Sequence, residues 1–580
     1  MASRYLALIG AETGICDRIA AAAGKARLTV AIDRPGLLVL VETGATTIPI
    51  GEEGVVIGAL YTIGHPGSVE ALGPDAQAAI ASSRGTHLVD RYWGGYVAIL
   101  ASAAGAGVDV VRAPFGELPC LHVRTGTGIA AASDAALLTA FQLCTLRVDW
   151  SALARHLAAG EVRGGETCLG GLRELRGGQR LTARAGSSAT DTIWSPWRHA
   201  GGDRQIDDVD EAVRRVGDAA RSCVKSRVSA CPTPLLMLSG GLDSSVIAAC
   251  LASDRHDFAC LTVTTANPSG DERRHARKVA DSLGVRLFER VREVMAVDLE
   301  RSAAARLPRP VARAFEQDSD RSAVELANAL GAGLVIDGGG GDNIFCSLQS
   351  VAPVADCLLA GNRRANFWLT AREISALAQT SLATVAWRAW LRSFQPARAP
   401  RAGRDLRFLS AGATDHAAGA TVHPWLAAPE GMLPGKAAQV ALLVGAQGLV
   451  EDADPQAALA SLSPLVSQPL IETCLHVPSW HWFARGRNRA VARRAFERDL
   501  PAEIVWRRTK GTPDSFVVEL YEANRALIAA MLLEGDLARH GLIDRAAVAA
   551  ALDDPRPVRG HDFGRIMQLV DAEAWVRAWS

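Results

Sequence analysis

Leu235-Leu236-Met237-Leu238-Ser239-Gly240-Gly241-Leu242-Asp243-Ser244-Ser245 decides how this chain folds. An apolar run of strand length ends in a serine. Two glycines follow, and Asp243 with two hydroxyls opens the helical pattern Val246-Ile247-Ala248-Ala249-Cys250-Leu251. Glycine has no Cβ, so the backbone turns tightly there and presents bare N–H groups. The helix start adds unpaired N–H groups and the positive end of its dipole. The segment reads as a socket for the phosphates of ATP, with Leu238, Ser239, Gly240, Gly241, Asp243, Ser244 and Ser245 as nucleotide-binding candidates. A carboxylate repels phosphate, so Asp243 is assigned to holding Mg2+ against the phosphate oxygens. The Walker arrangement, a longer loop ending in Gly-Lys-Ser/Thr, is absent. An ordinary strand–turn–helix with Asp243 or Ser244 as its cap is the plainer alternative. It leaves unexplained why nearly every position is a donor, a tight turn or a metal ligand.

From residue 235 to about 340 the rhythm is strand–helix. Strands are expected at 235–238, 258–264, 285–288 and 334–337, and helices at 243–252, 271–283 and 322–330. This is the pattern of a parallel sheet with helices on both faces, whose ligands bind beyond the carboxyl ends of the strands. The fourth strand runs into Gly338-Gly339-Gly340-Gly341-Asp342-Asn343. Four glycines carry an entropic cost, and a backbone packed tightly against a triphosphate accounts for them better than a surface linker. Gly338 and Gly340 are assigned to the nucleotide, and Asp342 shares Mg2+ with Asp243. The third anchor is Trp506-Arg507-Arg508-Thr509-Lys510-Gly511. Lysine is scarce here (Lys25, Lys225, Lys278, Lys436 and Lys510 only), so Lys510 is expected to act on developing charge, with Arg507 or Arg508 adding a bidentate phosphate contact. A solvated charge run is the alternative.

Residues 1–205 read as β-rich, with short apolar segments separated by glycine turns. A charged stretch after Trp194-Ser195-Pro196-Trp197 marks the boundary, and 206–580 form the second domain. From about 360 the pattern is mainly helical, with a Pro/Arg/Gly-rich insert at 396–418. The final helices, 516–579, are expected to pack on the core of this second domain. The 580 residues exceed one hydrophobic core, and the zero formal charge does not suggest a nucleic-acid partner. Eleven scattered cysteines without a C-x-x-C pair read as core residues of a reducing compartment. The apolar runs fall short of membrane length, so a cytoplasmic location is expected.

These motifs together resemble the asparagine-synthetase-type ATP-dependent amide ligases over nearly the whole chain. The family's Ser-Gly-Gly-Leu-Asp-Ser-Ser loop is matched by 239–245 without change. Its Asp-Glu helix head is matched by Asp271 and Glu272 with Ala276, its Gly-x-Gly-x-Asp loop by Gly338, Gly340 and Asp342, and its Arg-x-x-Lys by Arg507 and Lys510. The resemblance implies ATP and Mg2+ as cofactors, a catalytic Lys510, and Val263 of the second strand at the nucleotide. It also implies an α/β fold: an inactive Ntn-amidohydrolase-like α-β-β-α sandwich, then an adenine-nucleotide α-hydrolase-like parallel-sheet domain with a helical C-terminal region. Arg112-Ala113-Pro114-Phe115-Gly116-Glu117 and Ala132-Ser133-Asp134 sit in the expected order in the first block.

Glutamine-hydrolysing members of that family use a cysteine at the mature N-terminus. Here Ala2 follows Met1 and the first cysteine is Cys16, so glutaminase activity is not expected. β-Lactam synthetases place a tyrosine, and asparagine synthetases a glutamate, where this chain has Gly339. The Trp93-Gly94-x-Tyr96-Val97-Ala98 string is similar to that of the lasso peptide macrolactam synthetases. That resemblance implies adenylation of an Asp or Glu side chain in the core peptide of a ribosomally made precursor, then attack by the peptide's own N-terminal amine. It implies a leader peptidase and a leader-recognition protein as further partners. Glu472 is a candidate for orienting or deprotonating the amine, with a surface carboxylate as its alternative. A ligase for a small carboxylate and amine, and a non-catalytic peptide-binding scaffold, are the rival readings.

Overall fold

The computed structural model describes residues 3–102, 107–126, 128–160, 162, 164–184, 187–265, 267, 271–361, 366–397, 404–417, 423–508, 514–554, 556 and 560–580. The first block is built from β1 (Tyr5–Ile9), β2 (Leu28–Arg34), β3 (Leu37–Glu42), β4 (Thr47–Ile50), β5 (Gly54–Thr62), β6 (Tyr92–Ala101), β7 (Val108–Arg112), β8 (Leu121–Arg124), β9 (Ile129–Ala132), β10 (Arg173–Glu174), β11 (Gln179–Arg184) and β12 (Ser187–Thr192). Its helices are α1 (Thr13–Ala22), α2 (Pro74–Ser82), α3 (Thr86–Arg91), α4 (Ala135–Ala140) and α5 (Trp150–Ala159). The strands form two antiparallel sheets, ordered β10-β8-β9-β1-β3-β2 and β12-β11-β7-β6-β5-β4.

Side chains alternate across a strand, and this alternation builds three layers of core. Tyr5, Ala7 and Ile9 of β1 meet Val55, Ile57, Val97 and Ile99 between the sheets. Leu6 and Leu8 point the other way, onto Ile19, Leu137 and Leu153 of the outer helices. Ile80, Leu88 and Val89 of α2 and α3 cover the far face of the second sheet. The α-β-β-α sandwich expected from the sequence is therefore present.

The second block opens with α6 (Val209–Val228), capped by the Asp208 carboxylate accepting from Glu211 N. Its sheet is parallel: β13 (Leu235–Met237), β14 (Ala259–Thr264), β15 (Arg286–Val291), β16 (Leu334–Ile336) and β17 (Ala460–Leu462), in the order β15-β14-β13-β16-β17. Its early helices are α7 (Leu242–Ser253), α8 (Arg273–Leu283), α9 (Gln317–Leu330) and α10 (Gly341–Ile344). Then follow α11 (Ala352–Leu359), α12 (Phe367–Ala378), α13 (Leu382–Ser393), α14 (Ala411–Ala417), α15 (Pro434–Glu451), α16 (Gln468–His476), α17 (Ala490–Ala495) and α18 (Ala502–Val505). The chain ends in α19 (Asp514–Ala523), α20 (Arg525–Glu534), α21 (Asp536–Arg539), α22 (Arg545–Asp553) and α23 (Asp562–Trp579). Among the described residues no helix is long and apolar enough to cross a membrane.

The C-terminal helices pack on the second block, through Leu299, Leu307 and Ala314, and on the first block as well, which the sequence reading did not foresee. Phe516, Leu520, Ile528, Ile566 and Trp575 share a core with Leu6, Leu38 and Leu153 of the first block. Trp150 stacks on His540 at 3.6 Å, and Arg565 donates to the Leu157 carbonyl at 2.9 Å. The helices bury apolar surface against the sandwich's outer helices, at about 25 cal/mol per Å², and so brace the first block against residues 297–314 of the second. A second brace is ionic. Arg112 and Arg309 both bind the Glu174 carboxylate, at 2.8 and 2.6 Å, and Arg176 binds Glu451 of α15 at 2.6 Å, all of them buried.

Candidate active site

The chain leaves β13 for β14 and β15 on one side, then returns to β16 and β17 on the other. The direction of winding reverses between β13 and β16, which opens a crevice at their carboxyl ends. These two strands pair directly, Leu235 with Val335 and Leu236 with Ile336. The loop after β13 and the loop after β16 therefore emerge side by side.

The first loop is tied to itself and to its neighbours. Leu238 N donates to Leu261 O at 2.8 Å, extending the sheet by one residue, and the Leu238 side chain lies in the core. Gly240 has φ +70, and a Cβ there would stand 2.6 Å from Ala276 N, so the bend needs glycine twice over. The Ser239 and Ser244 hydroxyls are 3.2 Å apart, Gly241 N donates to Ser239 Oγ at 3.3 Å, and Ser245 Oγ donates to Gly241 O at 2.7 Å. Asp243 sits in the first turn of α7, nearly buried.

The second loop packs on the first. A Cβ on Gly338 would lie 2.8 Å from Ser244 N, and one on Gly341 would lie 2.6 Å from Asp243 Cγ. A Cβ on Gly340, at φ +72, would lie 2.5 Å from Val466, and one on Gly339 would lie 2.7 Å from Leu449 and from Ser463. The four glycines were expected to clear room for a triphosphate. Their Cβ positions are filled by protein: Gly338 and Gly341 allow the close seating of this loop on the first, and Gly339 and Gly340 its seating on Leu449, Ser463 and Val466. At Gly339 a side chain would require the ends of Leu449, Ser463 and Asp337 to move.

This seating brings Asp243 and Asp342 to one point, and Arg489 stands there. Its Nη1 lies 3.1 and 3.0 Å from the two Asp243 oxygens and 2.5 Å from Asp342 Oδ1. Arg489 is the N-cap of α17 with φ 59, an uncommon backbone state for a side chain of this size. Asn488 anchors the approach by donating to Ser347 Oγ at 3.1 Å. Arg493 follows, its guanidinium driven down to about 10 by burial and by Arg489. Burial and Arg508 also lower Arg487. The sequence reading missed this cationic wall. The visible signal was the run Arg485-Gly486-Arg487-Asn488-Arg489.

Arg507 is in the same place. Its Nη2 binds Glu272 Oε1 at 2.7 Å, at the head of α8, and its Nη1 donates to Gly240 O at 3.4 Å. Asp271 beside it is held down to about 2, chiefly by its hydrogen bonds with Arg273. Val263 lies near the end of β14, paired with Arg290. Lys510 lies outside the described residues. Glu472 faces the first block: Trp194 Nε1 and Gln468 Nε2 each donate to its Oε1 at 2.8 Å, His199 Nε2 lies 3.3 Å away, and burial raises its carboxyl.

The sequence matches the asparagine synthase family over residues 215–577, more than half of the chain, and the chain belongs to that family. It is similar to the carboxyethyl-arginine beta-lactam-synthase of Streptomyces clavuligerus, 38% identical over 102 residues. That match covers 18% of this chain and 19% of the relative's length. Among solved structures, the glutamine phosphoribosylpyrophosphate amidotransferase from B. subtilis, with ADP and GMP, covers 50% of this chain and 81% of its own at 9% identity and TM-score 0.22. A structure described as the allosteric regulatory enzyme of purine biosynthesis gives TM-score 0.21, also at 9% identity, over 50% of this chain and 80% of its own. Scores this low carry no weight for fold or function.

Proposed function

We propose that this protein is an ATP-dependent, AMP-forming amide ligase that closes a macrolactam, an isopeptide ring, in the core peptide of a ribosomally made precursor. The observation that carries the ligase reading is the meeting of Asp243 and Asp342 at one point between two glycine loops on neighbouring strands. Both donors are hard carboxylate oxygens, and among the described residues no third His, Cys, Asp or Glu joins them. This suits Mg2+, which keeps waters and substrate phosphate oxygens in its shell. Bound there, the ion would shield the phosphates and withdraw charge from the leaving pyrophosphate.

The chain's own groups do the rest. The loop N–H groups and the α7 N-terminus face the phosphates. An Asp or Glu side chain of the peptide attacks the α-phosphorus, and pyrophosphate leaves. The peptide's N-terminal amine then attacks the acyl-adenylate, loses a proton and expels AMP. Arg507, with Lys510, is assigned to the charge that builds on the α-phosphate. The hydrogen-bond set of Glu472 suits a brace between the blocks, and the incoming α-amine titrates near neutrality and needs little help from a base. A leader peptidase and a leader-recognition protein would supply the freed core peptide.

The likeness to a β-lactam synthase favours a second reading, ring closure on a small carboxylate and amine. Candidate core peptides incubated with protein, ATP and Mg2+ distinguish the two. The peptide reading requires AMP release and a product lighter by one water. Pyrophosphate exchange only with small carboxylates would transfer the assignment to the second reading, and no exchange with either would end both.

A further inference from the structure

Nine of the thirteen strongly exposed large hydrophobic side chains among the described residues lie between Leu358 and Phe394, so the protein's exposed apolar surface is concentrated in α11, α12 and α13. Trp368 is 64% exposed, Trp387 58% and Phe394 70%. Trp387, Trp390, Leu391 and Phe394 recur at the spacing of one helix face, while Val385 and Ala389 bury the other. Trp387 stacks on Trp390 at 5.1 Å, and Trp390 meets Phe394 edge-on at 4.9 Å. A short turn joins α12 to α13, and the two helices pack on one another. A monomeric surface rarely keeps so many large apolar groups together without a partner.

Two observations define the partner. The first is charge. Residues 361–404 contain eight arginines and one carboxylate, in a chain of zero net charge. That carboxylate, Glu373, is turned inward and accepts from Gly486 N at 2.6 Å. Arg372, which pairs with Glu373 Oε1 at 3.4 Å, and Arg388 are both exposed. The second is continuity with the candidate active site. The Glu373 bond fixes α12 to the 485–489 segment that delivers Arg489, Gly486 packs against Ala376, and α11 is the next helix after α10, which opens at the second glycine loop.

We infer that the α11–α13 face is the docking surface for the polypeptide substrate, and that it selects a chain combining apolar with acidic residues. The inference rests on the peptide-ligase reading above. Aromatic faces and arginines hold such a chain through apolar burial and bidentate contact with carboxylates, on helices tied through Glu373 to the segment that carries Arg489.

The test uses the full-length protein and a fluorescein-labelled synthetic peptide alternating Leu or Phe with Asp or Glu. Its control has Lys at every acidic position. Anisotropy should show at least tenfold tighter binding of the acidic peptide. Trp387→Ala/Trp390→Ala/Phe394→Ala should weaken it tenfold or more, and Arg372→Glu/Arg388→Glu should abolish the preference for acid. Binding of a fluorescent ATP analogue should be unchanged in both variants, showing that the fold is intact. Equal peptide binding by wild type and variants overturns the inference. So does adsorption of the wild type to phosphatidylglycerol vesicles with no peptide binding, which would make the face a membrane contact. Failure of the wild type to bind the ATP analogue while the peptide binds would remove the ligase reading and leave the surface assignment standing.

Discussion

Gly341 lies so close to Asp243 that a Cβ on it would stand 2.6 Å from the carboxyl carbon. The backbone of Gly341 is helical, so alanine is penalised there for space alone. Gly341→Ala should push Asp243 off the α7 start at a cost of about 1–3 kcal/mol in stability. Binding of a fluorescent ATP analogue should weaken at least tenfold. Gly333→Ala, on the approach to β16 with open space around its Cβ, is the control and should change neither quantity. An unaltered affinity in Gly341→Ala would separate the seating of the loops from nucleotide binding.

Arg489 holds the place that a cation between Asp243 and Asp342 would take. Removing one partner of a buried ion pair leaves the other charge uncompensated, at about 3–5 kcal/mol. Arg489→Ala should therefore lower the thermal midpoint in the absence of divalent ions. Added Mg2+ should restore more of that midpoint in the variant than it adds to the wild type, because the ion no longer displaces a guanidinium. Equal Mg2+ responses in the two proteins would show that the ion binds elsewhere.

Arg507 is held by Glu272 at 2.7 Å, with both side chains mostly buried. Glu272→Gln keeps the shape and a hydrogen-bond acceptor but removes the charge that fixes the guanidinium. ATP–pyrophosphate exchange should fall by at least tenfold, with the larger part in turnover. Arg507→Lys should not behave as wild type, since an ammonium cannot bind Glu272 and Gly240 O through a planar fork. Full activity in Arg507→Lys would reduce this contact to simple charge neutralisation.

What the sequence disclosed depended on range. The strand–glycine–helix at 235–245 is local chemistry, and its elements fall within a residue or two of their expected bounds. Three-residue β17 carries too little pattern to be recognised alone. Arg489 reaches Asp243 across 246 positions, a contact that no local periodicity encodes. The glycines at 338–341 announced a close approach but not its partner, because glycine signals missing volume without saying what fills it. Lysine scarcity misleads in one case: Lys436 is buried in α15 and donates to Gln439 Oε1 at 3.0 Å and to the Leu475 carbonyl at 2.6 Å, with its ammonium driven down to about 8 by burial. That is a structural role, so scarcity alone does not mark Lys510 as catalytic.

Asp571 on α23 gives the chain a stability that depends on pH. Its carboxyl is buried, accepts from Ala314 N at 3.1 Å, and is pushed up to about 8, chiefly by burial. Between the ordinary aspartate value and about 8 the folded chain holds a proton that the unfolded chain has lost. Stability from this group therefore falls as pH rises through that window, and the full loss is present above it. Asp571→Asn keeps the acceptor for Ala314 N and cannot ionise. Its advantage over the wild type should be small near pH 5 and larger near pH 9. The gain is on the order of a few kcal/mol, since each tenfold difference in proton affinity between folded and unfolded chains is worth about 1.4 kcal/mol. Because α23 packs on the sandwich and on the segment leading to α9, the loss in the wild type should release the C-terminal helices first, seen as faster hydrogen exchange in α19–α23 at high pH. A difference in thermal midpoint between the two proteins that stays constant from pH 5 to 9 would mean that this carboxyl does not titrate in the folded chain.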